Sequence, residues 1–139
     1  MSAPILVVGG AGYIGSHMVK RLRRAGFHAV VADDLSSGHR EAVLGAPLRV
    51  GDIGDGGFVA AVLGEVRPAA VMHFASFIQV GESVADPAKY YRNNVTATQA
   101  LLDGMRAHGI DKFIFSSTAA IFGDPQYVPI DEAHPKAPI

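Results

Sequence analysis

An apolar run that ends abruptly on glycines limits this chain more than any other feature. Ile5-Leu6-Val7-Val8 is followed by Gly9-Gly10-Ala11-Gly12-Tyr13-Ile14-Gly15, and a helical pattern begins at once. A short continuous run of aliphatic residues fits a strand covered on both faces. The pattern after it places Ile14, Met18 and Leu22 along one stripe, with Gly26 as the expected helix C-cap. Gly9, Gly12 and Gly15 recur at every third position, and Gly10, Gly12 and Gly15 also fit G-x-G-x-x-G. The strand before and the helix after give that spacing its meaning. Gly9 permits a turn that a side chain would block. Gly12 lets the backbone approach a pyrophosphate, and Gly15 lets the helix pack on the strand. The free N–H groups and the dipole at the helix start favour phosphate charge.

The same alternation continues to residue 115. Ala29 to Ala32 reads as a second strand closed by Asp33-Asp34, and Leu48-Arg49-Val50 as a third ending at Asp52. Phe58 to Val66 is helical, and Ala69 to Phe74 is a fourth strand. Asp86-Pro87 supplies an N-cap and a first-turn proline for the longest helix, running through Tyr91, Val95, Leu102 and Met105 to Gly109. Phe113-Ile114-Phe115 is a fifth strand, and the proline-bearing stretch from Asp124 to Ile139 reads as extended loop. Buried strands alternating with helices predict an α/β fold of Rossmann type: a doubly wound parallel sheet with helices on both faces. No repeat or linker divides the chain, so residues 1–139 form one dinucleotide-binding domain. In such sheets the ligand lies beyond the carboxyl ends of the strands. The polar residues Asp33, Asp52, Ser76 and Ser116-Ser117-Thr118 collect at those ends.

Asp33 closes the second strand, where a carboxylate accepts hydrogen bonds from adenosine ribose hydroxyls and repels a 2′-phosphate. Asp34 adds a second charge with no arginine beside it, so NAD is favoured over NADP. Charge elsewhere excludes other classes. Twelve Lys and Arg balance thirteen Asp and Glu, leaving no basic field for nucleic acid. Cysteine is absent, which removes disulfides, thiolate metal sites and thiol nucleophiles. The start, Met1-Ser2-Ala3-Pro4, has no charged region and the apolar run after it is too short to span a membrane, so a soluble cytoplasmic protein is expected. The six histidines show no metal-ligand spacing and read as structural. Lys20, Arg21, Arg23 and Arg24 sit where cations complement a helix C-terminus. Ser116-Ser117 has no G-x-S-x-G elbow and no evident base, which argues against a serine hydrolase.

The segment Gly9 to His17 resembles the extended short-chain dehydrogenases/reductases. Asp33-Asp34-Leu35-Ser36-Ser37-Gly38, Gly51-Asp52-Ile53, His73-Phe74-Ala75 and Val80 to Val84 are similar to the UDP-glucose 4-epimerases within that family. Tyr90 to Val95 and Phe113 to Ala120 extend the likeness along the whole chain. The resemblance implies a tightly held NAD, used and regenerated in each turnover. In that family C4 of a UDP-hexose gives a hydride to NAD while a tyrosine takes the 4-hydroxyl proton. The 4-keto sugar turns over and the hydride returns to its other face. Cofactor contacts are implied for Gly9, Gly12, Tyr13, Ile14, Gly15, Asp33, Asp34, Asp52, Ile53, Phe74, Ala75, Ser76, Asn93 and Ser116. Asp52 and Ile53 would lie by the adenine, and Phe74 to Ser76 along the cofactor's middle. The catalytic Ser/Thr of the family falls on Thr118, whose hydroxyl would bond the sugar's 4-oxygen and relay its proton. Part of the helix after Asp86 would pair across a homodimer, although its apolar side also suits a core.

Three departures qualify the likeness. Ile78 stands where a cofactor-binding lysine is frequent, and Phe122 where a tyrosine is usual. None of Tyr13, Tyr90, Tyr91 and Tyr127 has a lysine four residues on, so the family's Tyr-x-x-x-Lys base is not within these residues. The chain therefore reads as the cofactor-binding part of an epimerase, ending before a sixth strand and the sugar-nucleotide domain. Beside it stand a non-catalytic NAD-binding module and half of a split enzyme. A sugar-nucleotide 4,6-dehydratase is disfavoured because Ala119 and Ala120 occupy the positions of its usual acids.

Overall fold

Among the described residues, five short strands carry the architecture: β1 (Ile5–Val8), β2 (Ala29–Asp33), β3 (Leu48–Val50), β4 (Ala70–His73) and β5 (Phe113–Phe115). The structure is a computed structural model that describes residues 3–139; Met1 and Ser2, part of the uncharged start, lie outside it. All pairings are parallel and the order is β3-β2-β1-β4-β5. The chain thus builds outward from β1 to β3, then crosses to the far side of β1 for β4 and β5. Strand order reverses between β1 and β4, where a parallel sheet opens a crevice at its carboxyl edge. Val8 at the end of β1 is level with Ala32 on one side and His73 on the other. Three loops therefore leave the sheet at nearly one height.

Each face of the sheet has its own core. Leu6, Val8, Val30, Ala32 and Val71 point to one face, covered by α2 (Gly56–Val66). Val7, Ala29 and Val31 point to the other, covered by α1 (Tyr13–Arg24) and by Val43 and Ala46. This two-sided burial is why the strands are uninterrupted apolar runs rather than alternating ones. The face of α1 that packs differs from the expected stripe. Gly15 and Val19 are buried, Met18 and Leu22 only partly, and Ile14 is 57% exposed. Gly15 brings the helix against the glycine turn so closely that the buried line runs through it. A fully buried valine contributes about 1.5–3 kcal/mol, so Val19 anchors α1 and Ile14 does not. α2 is capped by Asp55, whose carboxylate accepts the N–H of Gly57 at 2.8 Å.

The long helix after Asp86 has three parts. Asp86 caps α4 (Pro87–Tyr90) by accepting the N–H of Lys89. A π-helical turn follows over Tyr91–Thr96, and α5 (Ala97–Ala107) completes the run. Its buried line is Ala97, Leu101 and Met105, packed on α2. Val95 and Leu102 are 53% and 41% exposed, so the expected apolar stripe divides into a core part and an open part. A short helix, α3 (Val80–Ala85), precedes it and has no counterpart in the sequence reading. Glu82 on α3 accepts hydrogen bonds from Lys89 and from the Tyr90 hydroxyl on α4. These hold the Glu82 carboxyl below its usual range.

Among the described residues β5 pairs with β4 alone, and its Ile114 and Phe115 are 53% and 47% exposed. Beyond it, a 3-10 turn (Ala119–Phe122) leads into the proline-bearing tail. The tail is irregular, as expected, but folds around His134. That ring is buried, accepts the Gln126 N–H at 3.1 Å and donates to the Pro135 carbonyl at 2.9 Å. Phe122 and Tyr127 pack against it. No helix among the described residues is long and apolar enough to cross a membrane.

Candidate functional site

A cleft enclosing about 550 Å³ of space, open to solvent, lies at the carboxyl edge where the strand order reverses. Its walls include Gly9 and Gly12 of the first turn, Asp33 and Asp34 at the end of β2, and Asp52 and Ile53 after β3. Phe74, Ala75, Ser76 and Asn93 close the other side. These ten come from five separate stretches of sequence, and the sheet register brings them together. Tyr13, Ile14, Gly15 and Ser116, also expected as contacts, are not among the lining residues. Tyr13, Ile14 and Gly15 form the first turn of α1, so their nearness to a ligand would be through backbone N–H groups. Ser116 is tied to β4 through its own N–H, which donates to the His73 carbonyl at 3.0 Å.

The glycines of the turn have different physical tasks. Gly9 has φ +74°, and a Cβ there would sit 2.6 Å from the Ala75 nitrogen. A Cβ on Gly15 would overlap the Gly9 carbonyl and lie 2.8 Å from Gly10 Cα. Both positions are closed to side chains by the protein itself. Gly12 is not: its nearest neighbour would be the Gly9 oxygen at 3.4 Å, an ordinary contact, and it faces the cleft. Gly12 also provides no side-chain cap for α1. The first N–H groups of the helix, from Tyr13 onward, have no carbonyl one turn earlier to bond and remain available. An uncapped helix start beside an open glycine is a cradle for phosphate.

Beside it stand the carboxylates. Asp33 is 8% exposed, and its two oxygens accept the N–H groups of Ala11 (2.8 Å) and Leu35 (2.9 Å). Each ionised oxygen keeps room for a further donor, so ribose hydroxyls can still bond it. Asp34 is exposed and accepts from the N–H and hydroxyl of Ser36 through one oxygen. The Asp52 carboxylate accepts the Gly54 N–H at 2.7 Å and shapes the turn that presents Ile53. Sequence reading did not assign Ser36, Ser37, Gly38, Gly51 or Phe77 to the site, yet all line the cleft. A Cβ on Gly38 would meet the Ala11 backbone at 2.8 Å. The signal for that close approach was the Ser36-Ser37-Gly38 loop itself.

The wall after β4 is fixed by side chains below it. Asn94 accepts the Phe77 N–H and donates to the Phe77 carbonyl, both at 2.9 Å. Asn93 donates to Asn94 at 2.8 Å, which leaves its own amide oxygen for the cleft. His73 contacts Thr98 at 2.9 Å and accepts the Ala75 N–H at 3.3 Å, and burial pushes its imidazole down to about 4. Lys89 lies over the Phe77 ring, 4.8 Å from its centre. Thr118 stands apart from the cleft. Its exposed hydroxyl accepts the Ala120 N–H at 3.2 Å and caps the 3-10 turn.

Comparison with known proteins agrees with this geometry. The chain is 52% identical to UDP-glucose 4-epimerase of Rhizobium leguminosarum bv. trifolii over 97% of its own length and 41% of that protein's. It is 42% identical to the human UDP-glucose 4-epimerase over 97% of its length and 43% of that protein's. Among solved structures, UDP-glucose 4-epimerase from Brucella ovis in complex with NAD superposes with TM-score 0.93 at 48% identity. That match covers 99% of this chain and 42% of the other. The chain thus spans about two fifths of the length of the relatives it matches. Residues 5–139 match the family model described as the NAD dependent epimerase/dehydratase family, and with that strand order, glycine turn and cleft the chain belongs to this family.

Proposed function

We propose that this chain is the cofactor-binding portion of a UDP-glucose 4-epimerase and that its cleft holds NAD. One observation carries the reading: an uncapped helix start with an open glycine stands beside two aspartates at the carboxyl edge of the sheet, next to its reversal point. The cradle fits a pyrophosphate and Asp33 fits ribose hydroxyls. Asp34, exposed beside Asp33, disfavours a 2′-phosphate by like charge. Ile53, largely buried at the cleft edge, offers an apolar surface for adenine. When bound, NAD supplies reversible oxidation at C4 of a UDP-hexose. The chain's own residues bind it, orient it along the Phe74 to Ser76 wall and exclude water from one side. Thr118 would receive a hydrogen bond from the sugar's 4-hydroxyl and pass its proton on.

The relatives' names and their length support the epimerase reading, with the proton-accepting Tyr-x-x-x-Lys pair and the sugar-binding residues outside these 139 residues. On the same reading the enzyme is a cytoplasmic homodimer, and the open apolar side chains Val95 and Leu102 support the association. Calorimetric titration tests the cofactor: NAD is expected to bind more tightly than NADP, and equal or tighter binding of NADP overturns the assignment. A coupled assay with UDP-galactose tests the rest. The chain alone is expected to be inactive, since a general base typically contributes ~10²–10⁴-fold and substrate positioning is lost as well. Restoring the remaining length of a relative should recover turnover, and Thr118→Ala should then lower it.

A further inference from the structure

The proposed activity gives His73 no task, yet its ring is fully buried just ahead of the cleft wall. As filler between β4 and β5 it touches Phe113 and Phe115, and an apolar side chain would serve there without the cost of burying polar atoms. Both of its ring nitrogens are instead engaged. The Thr98 hydroxyl has one proton and donates it to the Asn94 carbonyl at 2.9 Å. It must therefore accept from His73 Nε2–H, which leaves Nδ1 free to accept the Ala75 N–H. Asn94 in turn brackets the backbone of Phe77. Both ends of the stretch from Ala75 to Phe77 are thus tied to one π-helical turn, the kind of insertion that recurs at functional sites.

We propose that His73 and Thr98 are positioning residues that hold the Ala75–Phe77 wall for the half of the dinucleotide lying beyond the pyrophosphate. The inference rests on the NAD reading above. Its direction comes from topology: Asp33 and Asp34 stand at the end of β2 on one side of β1, and this wall follows β4 on the other. Adenosine belongs with the carboxylates, so the relay acts on the opposite half.

Three chains test it: the unaltered one, Thr98→Val, which keeps the shape without the hydroxyl, and Thr98→Ser, which keeps the hydroxyl. Amide exchange on the free chains is expected to show faster exchange of Ala75 in Thr98→Val, by about tenfold for one lost hydrogen bond, with Leu6 to Val8 unchanged. NAD affinity should fall by about tenfold in Thr98→Val while ADP affinity stays within about twofold, and Thr98→Ser should restore both readouts. Unchanged Ala75 exchange, or equal loss of NAD and ADP, overturns the proposal. So does a nitrogen-15 spectrum of the unaltered chain at neutral pH that finds His73 protonated on Nδ1. An unaltered chain that binds neither NAD nor ADP overturns the cofactor reading instead, and the exchange and nitrogen-15 results still decide the relay.

Discussion

The carboxylate of Asp33 accepts the backbone N–H of Ala11 at 2.8 Å, fastening the glycine turn to the neighbouring strand. The bond is buried, and the other oxygen of Asp33 holds Leu35. The residue expected to bind ribose therefore also builds the site. Asp33→Ala should destabilise the ligand-free chain, because a buried N–H left without an acceptor costs about 1–3 kcal/mol. Asp33→Asn should lose less, since its amide oxygen keeps one bond. Urea denaturation without dinucleotide checks both. An Asp33→Ala chain as stable as the original would confine the residue to ligand binding.

Gly12 and Gly15 should fail in different ways. Gly15→Ala drives a methyl into the Gly9 carbonyl and should cost about 3 kcal/mol or more, as overpacking against rigid backbone does. Gly12→Val meets no such obstacle and should leave the melting temperature nearly unchanged while abolishing NAD binding. A melting curve and a titration on each variant separate the two. If Gly12→Val unfolds the chain, the open cradle has been misjudged.

Acid should weaken the fold through His73. Its neighbours are the Thr98 hydroxyl from α5 and the rings of Phe113 and Phe115 from β5, none of which titrates near neutrality. Burial lowers the imidazole from 6.5 to about 4. Between those values the unfolded chain takes up a proton that the native ring refuses. Stability should then fall as the pH drops from 6.5 towards 4 and level off below, by an amount on the order of 3 kcal/mol. Denaturation at several pH values measures it, and His73→Asn should flatten that part of the profile.

What the sequence made legible was local. The strand, glycine turn and Asp33 lie within one βαβ unit, and each is dictated by sterics or charge that neighbouring residues reveal. The buried side of α1 was misread because Gly15, with no apolar side chain, sets which face touches the sheet. α3 was missed because Val80 to Ala85 is too short for a helical period to register. It is held by Glu82 reaching Lys89 and Tyr90, a tertiary fact. The bracket of Asn94 on Phe77 depends on a π-helical turn that no residue pattern announces. Of the apolar positions Val95, Leu102 and Met105 on the helix after Asp86, only Met105 packs on α2, because the pattern alone does not say which side α2 covers.

The open side of β5 should make the 139-residue chain associate. Its backbone groups there have no strand partner among the described residues, and Ile114 and Phe115 are half exposed. Such an edge recruits other chains, and a few hundred Å² of apolar surface at ~25 cal/mol per Å² gives several kcal/mol of drive. Light scattering should show dimers or larger species at high concentration, and Ile114→Lys should reduce them. A stable monomer would mean the edge is covered, with the folded tail around His134 as the nearest candidate.

The level alignment of Val8, Ala32 and His73 has a consequence for how a correctly folded molecule can be recognised. A slip of one residue in either pairing would turn the strand's side chains to the opposite face and carry Asp33 or Phe74 out of the cleft. No single loop could compensate, because the walls hang from separate strands. Dinucleotide capture therefore counts molecules whose three central strands are all in step. The ligand acts as a proofreader of sheet register, and its saturation level measures folding fidelity as directly as it measures affinity.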